Sequence, residues 1–459
     1  MWHHASEYIS NPHSKKENYT MKITFMGAGS TVFARNVIGD CMRVPCLRDS
    51  VFALYDIDAD RLEESRAILE AMRETMGGYG KIECYLGVEQ RKNALRGASF
   101  VINAIQVGGY DPCTVIDFEI PKKYGLRQTI GDTLGIGGIM RALRTIPVME
   151  DFTQDMEEVC PDAWFLNYTN PMAMLSGYVQ KYSGIKTVGL CHSVQSCAED
   201  LLEPLGMSDR LEGCKTTIAG INHMAWLLKI VDRNGVDLYP EIKERAFAKQ
   251  KDFTHHDNIR YDYIRHFGYY CTESSIHNAE YSWFYIKDKY PELLTRYRIK
   301  LDEYPRRCVE QIEGWKWEYS QILSEGVKKH ERSKEYASRI MEAMITDVPY
   351  KIGGNVLNTG YYITNLPAEA CVEVPCLVDA SGINPTCVGA LPVQCAAMNV
   401  TNINVQLLTI EAARTLKRDH VYQAAMLDPH TGSELDIDTI KKMVDDLLEA
   451  QSAYLPKYN

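Results

Sequence analysis

From Met21 onward the chain reads MKITFMGAGSTVFARNVIGDCM, an apolar strand, a glycine turn and a helix in direct succession. A second apolar strand ending in acid, SVFALYDID, comes next. Strands this uniformly apolar are buried on both faces, which is the habit of parallel sheets covered by helices. The alternation continues. ADRLEESRAILEAMRETM has helical periodicity, and KIECYLG and ASFVINAIQVGG read as strands, the latter preceded by a short helix near Asn93 to Arg96. IMRALRTIPVMEDFTQDMEEVC is helical, AWFLNYTNP is a strand ending at a turn, and IKTVGLCH is another strand. The prediction is an α/β fold with a Rossmann-type, doubly wound parallel sheet over residues 21–195.

The pattern fades after Cys191. TTIAGINHMAWLLKIVDRNG predicts paired strands, and helices dominate from Leu301 to Ala343. The C-terminus predicts an amphipathic helix, with Ile437, Ile440, Val444 and Leu447 at three-to-four-residue spacing. No repeat or low-complexity linker interrupts the chain. Residues 196–459 are therefore expected to form an α+β domain packed on the first, contributing to substrate, metal and oligomer contacts.

The net charge of −11 argues against a phosphate-backbone partner, so no nucleic acid is expected. No apolar run approaches the roughly 18 residues of a membrane helix, so no membrane partner is expected. Fourteen cysteines lie at irregular spacings without a Cys-x-x-Cys pair, which suits reduced thiols in a cytoplasmic protein. Residues 1–20 are polar and lack the apolar core of a secretory signal; they are expected to be a disordered extension.

Gly27, Gly29, Ser30 and Thr31 lie between the first strand and its helix. Glycines there let the backbone approach a pyrophosphate, which the helix N-terminus favours electrostatically. The third glycine of the usual fingerprint is replaced by Val32. Asp56 ends the next strand, where a carboxylate binds the ribose hydroxyls of NAD and repels the 2′-phosphate of NADP; Asp58 is the neighbouring candidate. NAIQVGG, with Asn103 and Gln106, ends a later strand on the edge where the cofactor would pass.

Four further segments at strand ends or loops are dense in reactive groups. They carry Asp132 and Arg141, then Asn167 and Asn170, then Cys191 and His192, and finally Asn222 and His223. Cys191 and His223 together could hold one divalent ion and leave open positions for substrate oxygens, as catalytic metal sites require.

These strings are similar to those of glycoside hydrolase family 4, the NAD- and metal-dependent glycosidases. The resemblance runs from Met21 to about Leu455 and rests on ITFMGAGST, QVGGYDPCTVIDFE, GDTLGIGGIMRALRTIP, NYTNPMAM, VGLCHSVQ, AGINHMAW, FGYYCTESS and LDEYPRRCVEQ. NLPAEACVEVPCLVDASGI, TNINVQ and AAMLDPHT continue it. The fit is closest to the family's bacterial α-galactosidases (melibiases). It implies a lactate/malate dehydrogenase-like fold and a homodimer or homotetramer.

The implied chemistry departs from two-carboxylate glycoside hydrolysis, of which family 4 is a known exception. Bound NAD oxidises the sugar at C3, a base removes the acidified C2 proton, the glycosidic oxygen is eliminated, and water addition and re-reduction complete the hydrolysis. The resemblance assigns Mn2+ or another divalent cation to Cys191 and His223, and an acid to His192. It draws the base from IRYDYIRHFGYY, where Asp262 comes first and Tyr261 and Tyr263 are rivals. Asp132 and Asn170 fall on substrate hydroxyls or around the nicotinamide, and Arg141 on substrate or a carboxylate.

One departure concerns the sugar. After TESS, the melibiase pattern carries Glu before His277 and Pro in the following EY segment; this chain has Ile276 and Trp283. The change either alters the sugar pocket or is a surface difference. The small-molecule glycoside expected is a melibiose-like α-galactoside, with α-glucosides and α-galacturonides as alternatives within the family. A net NAD dehydrogenase of the lactate/malate type is the alternative outside it. NYTNPM matches members acting on unphosphorylated sugars.

Overall fold

The computed structural model describes residues 21–326 and 329–459, so the expected N-terminal extension lies outside the described residues. Six parallel strands come first: β1 (Lys22–Met26), β2 (Val51–Asp56), β3 (Lys81–Leu86), β4 (Phe100–Asn103), β5 (Trp164–Asn167) and β6 (Lys186–Gly189). Their spatial order is β3-β2-β1-β4-β5-β6. This is the doubly wound order whose direction reverses beside β1, and ligands bind outside the carboxyl ends of the strands at that reversal. Register pairs Met26 with both Tyr55 and Asn103, so these strand ends lie side by side.

β1 is buried on both faces. Ile23 and Phe25 join one core cluster and Met26 another, which explains the continuous apolar run in its sequence. Apolar burial of this kind stabilises by roughly 25 cal/mol per Å2 removed from water.

The sheet does not stop at β6. Strands β7 (Lys215–Ile221), β8 (Met224–Val231), β9 (Tyr270–Cys271), β10 (Tyr350–Leu357) and β11 (Cys371–Asp379) extend it in the order β10-β11-β7-β8-β9. A short β12 (Gly382–Pro385) pairs with β11. These added strands are antiparallel to their neighbours; Asn355 meets Gly189 across the junction. The fold class is thus a Rossmann-type parallel sheet continued by an antiparallel α+β half.

Several expected elements differ in extent. The strand read through ASFVINAIQVGG ends at Asn103, and Ala104 to Gln106 follow it as irregular chain. The long helix begins at Gly135 rather than Ile139 and is buried along its first three turns. In the C-terminal helix Ile437–Ala450, Ile440, Val444 and Leu447 are buried beside Met443, but Ile437 is 63% exposed because it lies at the helix start, beyond the core face. Among the described residues, no helix is long and apolar enough to cross a membrane. All fourteen cysteines are free.

Candidate active site

The glycine turn after β1 packs tightly on its neighbours. A side chain at Gly27 (φ +85°) would stand 2.7 Å from the Ala104 carbonyl oxygen, and one at Gly29 would stand 2.7 Å from Asp56 Oδ2. The Gly29 N–H instead donates to Asp56 Oδ2 at 2.6 Å, while Asp56 Oδ1 accepts from the N–H groups of Ile57 and Asp58. Asp56 therefore fastens the end of β2 to the turn. Ser30 opens the helix Thr31–Arg43 without using its side chain as a cap, and Thr31 Oγ1 bonds back to the Gly29 carbonyl. The turn, its helix N-terminus and the adjacent acid fit a dinucleotide.

Asp58 Oδ1 accepts from the N–H groups of Asp60 and Arg61 and caps the next helix, Ala59–Thr75. Asn103 is fully buried and donates to Asn167 Oδ1 at 2.9 Å and Thr169 Oγ1 at 3.1 Å, tying the end of β4 to that of β5, while its own Oδ1 has no partner within the protein.

A cleft of about 360 Å3 opens beside the turn. Ser30 and Gln106 line it together with Asp132, Arg141, Asn170, Cys191, His192 and His223. The buried Asn170 Oδ1 has no partner within the protein, as expected of an acceptor left for a ligand. Arg141 is held by Tyr304 Oη at 3.3 Å, and Asp132 Oδ1 accepts from Thr133 Oγ1 at 2.8 Å.

Cys191 ends the loop after β6 at the N-terminus of the helix His192–Leu202, and His223 forms the two-residue turn between β7 and β8 with φ +64°. Sequence reasoning missed their third companion, Glu273, which follows β9 with φ +63°. One donor atom each from Cys191, His223 and Glu273 lies within 4.8 Å of the others. Two non-glycine residues in the left-handed region, side by side, mark backbone held against its preference at a functional site. Burial alone would push the His223 imidazole down, but the Cys191 sulfur and Glu273 carboxylate outweigh it and raise its pKa to about 10. Burial likewise opposes ionisation of Glu273, yet His277 and His223 hold it down at about 2. His223 Nδ1 lies 3.0 Å from Tyr281 Oη, which leaves Nε2, 3.6 Å from Glu273 Oε2, for the cluster. Thiolate, imidazole and carboxylate with an oriented histidine are a fitting donor set for a divalent ion.

His192 lines the same cleft, and its Nε2 is 2.7 Å from Glu335 Oε2. That hydrogen bond, against the effect of burial, raises the His192 pKa. Glu335 was also missed by sequence. It sits in a segment anchored through Ser333, whose N–H and hydroxyl both donate to the buried Asp40 of the first helix.

The structure does not bring the expected base to this cleft. Asp262 lines a separate cavity of about 760 Å3 with Lys251, Arg265 and Arg296. Its two oxygens accept from Gln250 Nε2 at 2.7 Å and Tyr297 Oη at 2.5 Å. Tyr263 is fully buried against Trp226, donates to the Asn278 carbonyl, and has its pKa raised by burial. Tyr261 is fully buried elsewhere. None of the three lines the cleft: Tyr261 and Tyr263 of the helix Asn258–Phe267 are packed into two different core clusters, and Asp262 faces the second cavity. Ile276 and Trp283 do not line the cleft either; Glu273 and His277 of that segment do.

Models of two protein families cover most of the chain: family 4 glycosyl hydrolase over residues 22–207 and family 4 glycosyl hydrolase C-terminal domain over residues 218–431. The alpha-galactosidase of Bacillus subtilis is 59% identical over 437 residues, covering 95% of this chain and 99% of that protein. Among solved structures, the putative glucosidase lplD of Bacillus subtilis has TM-score 0.83 at 25% identity, covering 94% of this chain and all of its own. A 6-phospho-alpha-glucosidase from gut microorganisms, solved with NAD and Mn2+, has TM-score 0.77 at 19% identity over 96% of this chain and all of its own. With the two family models together matching most of its length and a 59% identical relative covered almost whole, the chain belongs to glycosyl hydrolase family 4.

Proposed function

We propose that this protein is an NAD- and divalent-metal-dependent α-galactosidase. The observation that carries the reading is the Cys191–His223–Glu273 cluster opening onto the same cleft as the glycine turn. Identity of 59% to the Bacillus subtilis alpha-galactosidase supports the α-galactoside.

Gly27, Gly29, Ser30 and Thr31 would hold the dinucleotide, with Asp56 at its ribose and Gln106 beside it. Cys191, His223 and Glu273 would hold a divalent ion such as Mn2+. When bound, these groups supply a reversible hydride acceptor and a Lewis acid for the sugar oxygens. Asp132 keeps Oδ2 for a substrate hydroxyl, Asn170 offers its unpartnered Oδ1, and Arg141 borders the sugar. His192 has Nε2 taken by Glu335, so Nδ1 is the atom from which its proton reaches the departing glycosidic oxygen. The proton from C2 goes to a group lining the cleft, and neither Asp262 nor Tyr263 is among them. Because Cys191 acts as a thiolate ligand, the enzyme works in a reducing compartment, the cytoplasm, as a homodimer or homotetramer.

The test is hydrolysis of nitrophenyl α-galactoside, α-glucoside and α-galacturonide with NAD, Mn2+ and thiol reductant, each omitted in turn. Galactoside turnover that needs all three, and slows with deuterium at C2, is expected. Activity surviving removal of both NAD and metal would sink the mechanism, stoichiometric NADH would make it a dehydrogenase, and preference for galacturonide would reassign the sugar.

A further inference from the structure

Immediately before Asp132, three successive backbone N–H groups converge on one carboxylate. Glu280 accepts from Thr129 at 2.7 Å and from Gly131 at 2.7 Å, with Ile130 between them at 3.2 Å. Glu280 is 3% exposed, and its partners are backbone N–H groups rather than a cation. A carboxylate buried without a cation is unfavourable unless donors satisfy it, so this turn and this side chain hold each other. Gly131 (φ +56°) turns the third N–H inward, and a side chain there would stand 2.9 Å from Gln128 Oε1. Thr129 Oγ1 also donates to the Ile276 carbonyl at 2.8 Å, a second tie to the same short helix, Ser275–Glu280.

That helix and its flanks reach the site at four points. Glu273 belongs to the ligand cluster, His277 lines the cleft, Tyr281 holds His223, and Glu280 grips the turn that delivers Asp132. We propose that Glu280 is a positioning residue whose carboxylate fixes the Thr129–Gly131 turn and so sets Asp132 against the substrate. The inference rests on the reading of Asp132 as a substrate-binding group.

The experiment is a double-mutant cycle between E280Q and D132N in the full-length protein. Each variant is assayed by kcat/KM on the nitrophenyl glycoside the wild type hydrolyses. Calorimetric Kd values for galactose, Mn2+ and NAD are measured alongside, with amide hydrogen exchange over Gln128–Thr133. Glutamine offers one acceptor oxygen and sets an NH2 against the remaining donors. E280Q is expected to speed exchange at Thr129–Gly131 and lower kcat/KM by about 10- to 100-fold, the scale of a misplaced group. Mn2+ and NAD affinities should stay unchanged. The double variant should be no worse than D132N, because both changes act through one group. Additive losses, unchanged kinetics despite faster exchange, or a parallel loss of Mn2+ affinity would overturn the proposal. If E280Q does not fold, G131A perturbs the same turn from its other side and must give the same pattern. A wild type that hydrolyses no glycoside refutes the α-galactosidase reading instead, and the cycle is then decided on the galactose Kd.

Discussion

Replacing Glu273 by glutamine tests the ligand cluster with little change in side-chain size and the same backbone conformation. Two effects separate. In metal-free protein the Glu273 carboxylate titrates at about 2 rather than near 4.5, since His277 and His223 overcome the opposing effect of burial. A carboxylate with a depressed folded-state pKa contributes stability above its unfolded value and loses it as the pH falls through the folded one. That contribution is at most roughly 3 kcal/mol near neutral pH, which for a chain of this length is a melting shift of about 3 °C. Metal-free E273Q should thus melt lower than wild type at pH 7, with the gap closing as the pH drops from 4.5 toward 2. With metal, the variant loses a direct donor, so Mn2+ affinity should fall by more than the roughly 10- to 100-fold seen for outer-sphere changes. Calorimetry of chelator-treated protein across pH measures the first effect, and the free Mn2+ signal in electron paramagnetic resonance measures the second. NAD binding should not move. Unchanged melting together with unchanged Mn2+ affinity would refute the reasoning and reduce the cluster to Cys191 and His223.

Three further changes probe the remaining assignments. Gly29→Ala places a methyl group 2.7 Å from Asp56 Oδ2 and 3.0 Å from Arg61 Cβ, breaking the Gly29–Asp56 bond. A bond to a charged acceptor contributes about 1.5–3 kcal/mol, so the NAD Kd should rise about 10- to 100-fold without change in Mn2+ affinity. Asp58→Ala should cost about 1 kcal/mol in denaturant unfolding through loss of the helix cap, yet leave NAD affinity intact; a matching loss of NAD would return Asp58 to the ribose. Glu335→Gln removes the main cause of the raised His192 pKa, so the alkaline limb of kcat/KM against pH should move to lower pH. A limb that stays in place would mean that His192 is not the acid.

The parallel half of the fold was legible because each apolar strand and its helix carry their own periodicity, and β2 ends at Asp56 as its sequence indicates. What local sequence could not separate was Asp56 from Asp58. Both trail the strand, and the geometry of the next helix N-terminus decides that one caps and the other meets the glycine turn. The helix Asn258–Phe267 shows the same limit at larger scale. Its sequence places Asp262 and Tyr263 among many aromatic and charged neighbours, but which face meets the cleft depends on how the helix docks. Glu273 and Glu335 were invisible for a related reason. Each lies far along the chain from Cys191, His192 and His223, and only the antiparallel extension of the sheet and the segment tied to Asp40 bring them in.

The stretch around His277 turns this limit into a pattern. His277, Glu280 and Tyr281 are spaced i, i+3 and i+4, the spacing of one helical face, and Glu273 just precedes the helix. On this protein that stretch is polar, because it meets the Cys191–His223 cluster, the cleft and a turn whose N–H groups Glu280 satisfies, instead of an apolar core. Ile276 sits at the margin of the stripe and presents its carbonyl to Thr129, while Trp283 packs on Phe284 beyond the helix. Neither residue lines the cleft, and Ile276 reaches the Thr129–Gly131 turn through its backbone carbonyl. The cleft wall carries Asp132, Arg141, Asn170 and His277 among its polar side chains, and under the proposed function these are where one sugar hydroxyl would be told from another.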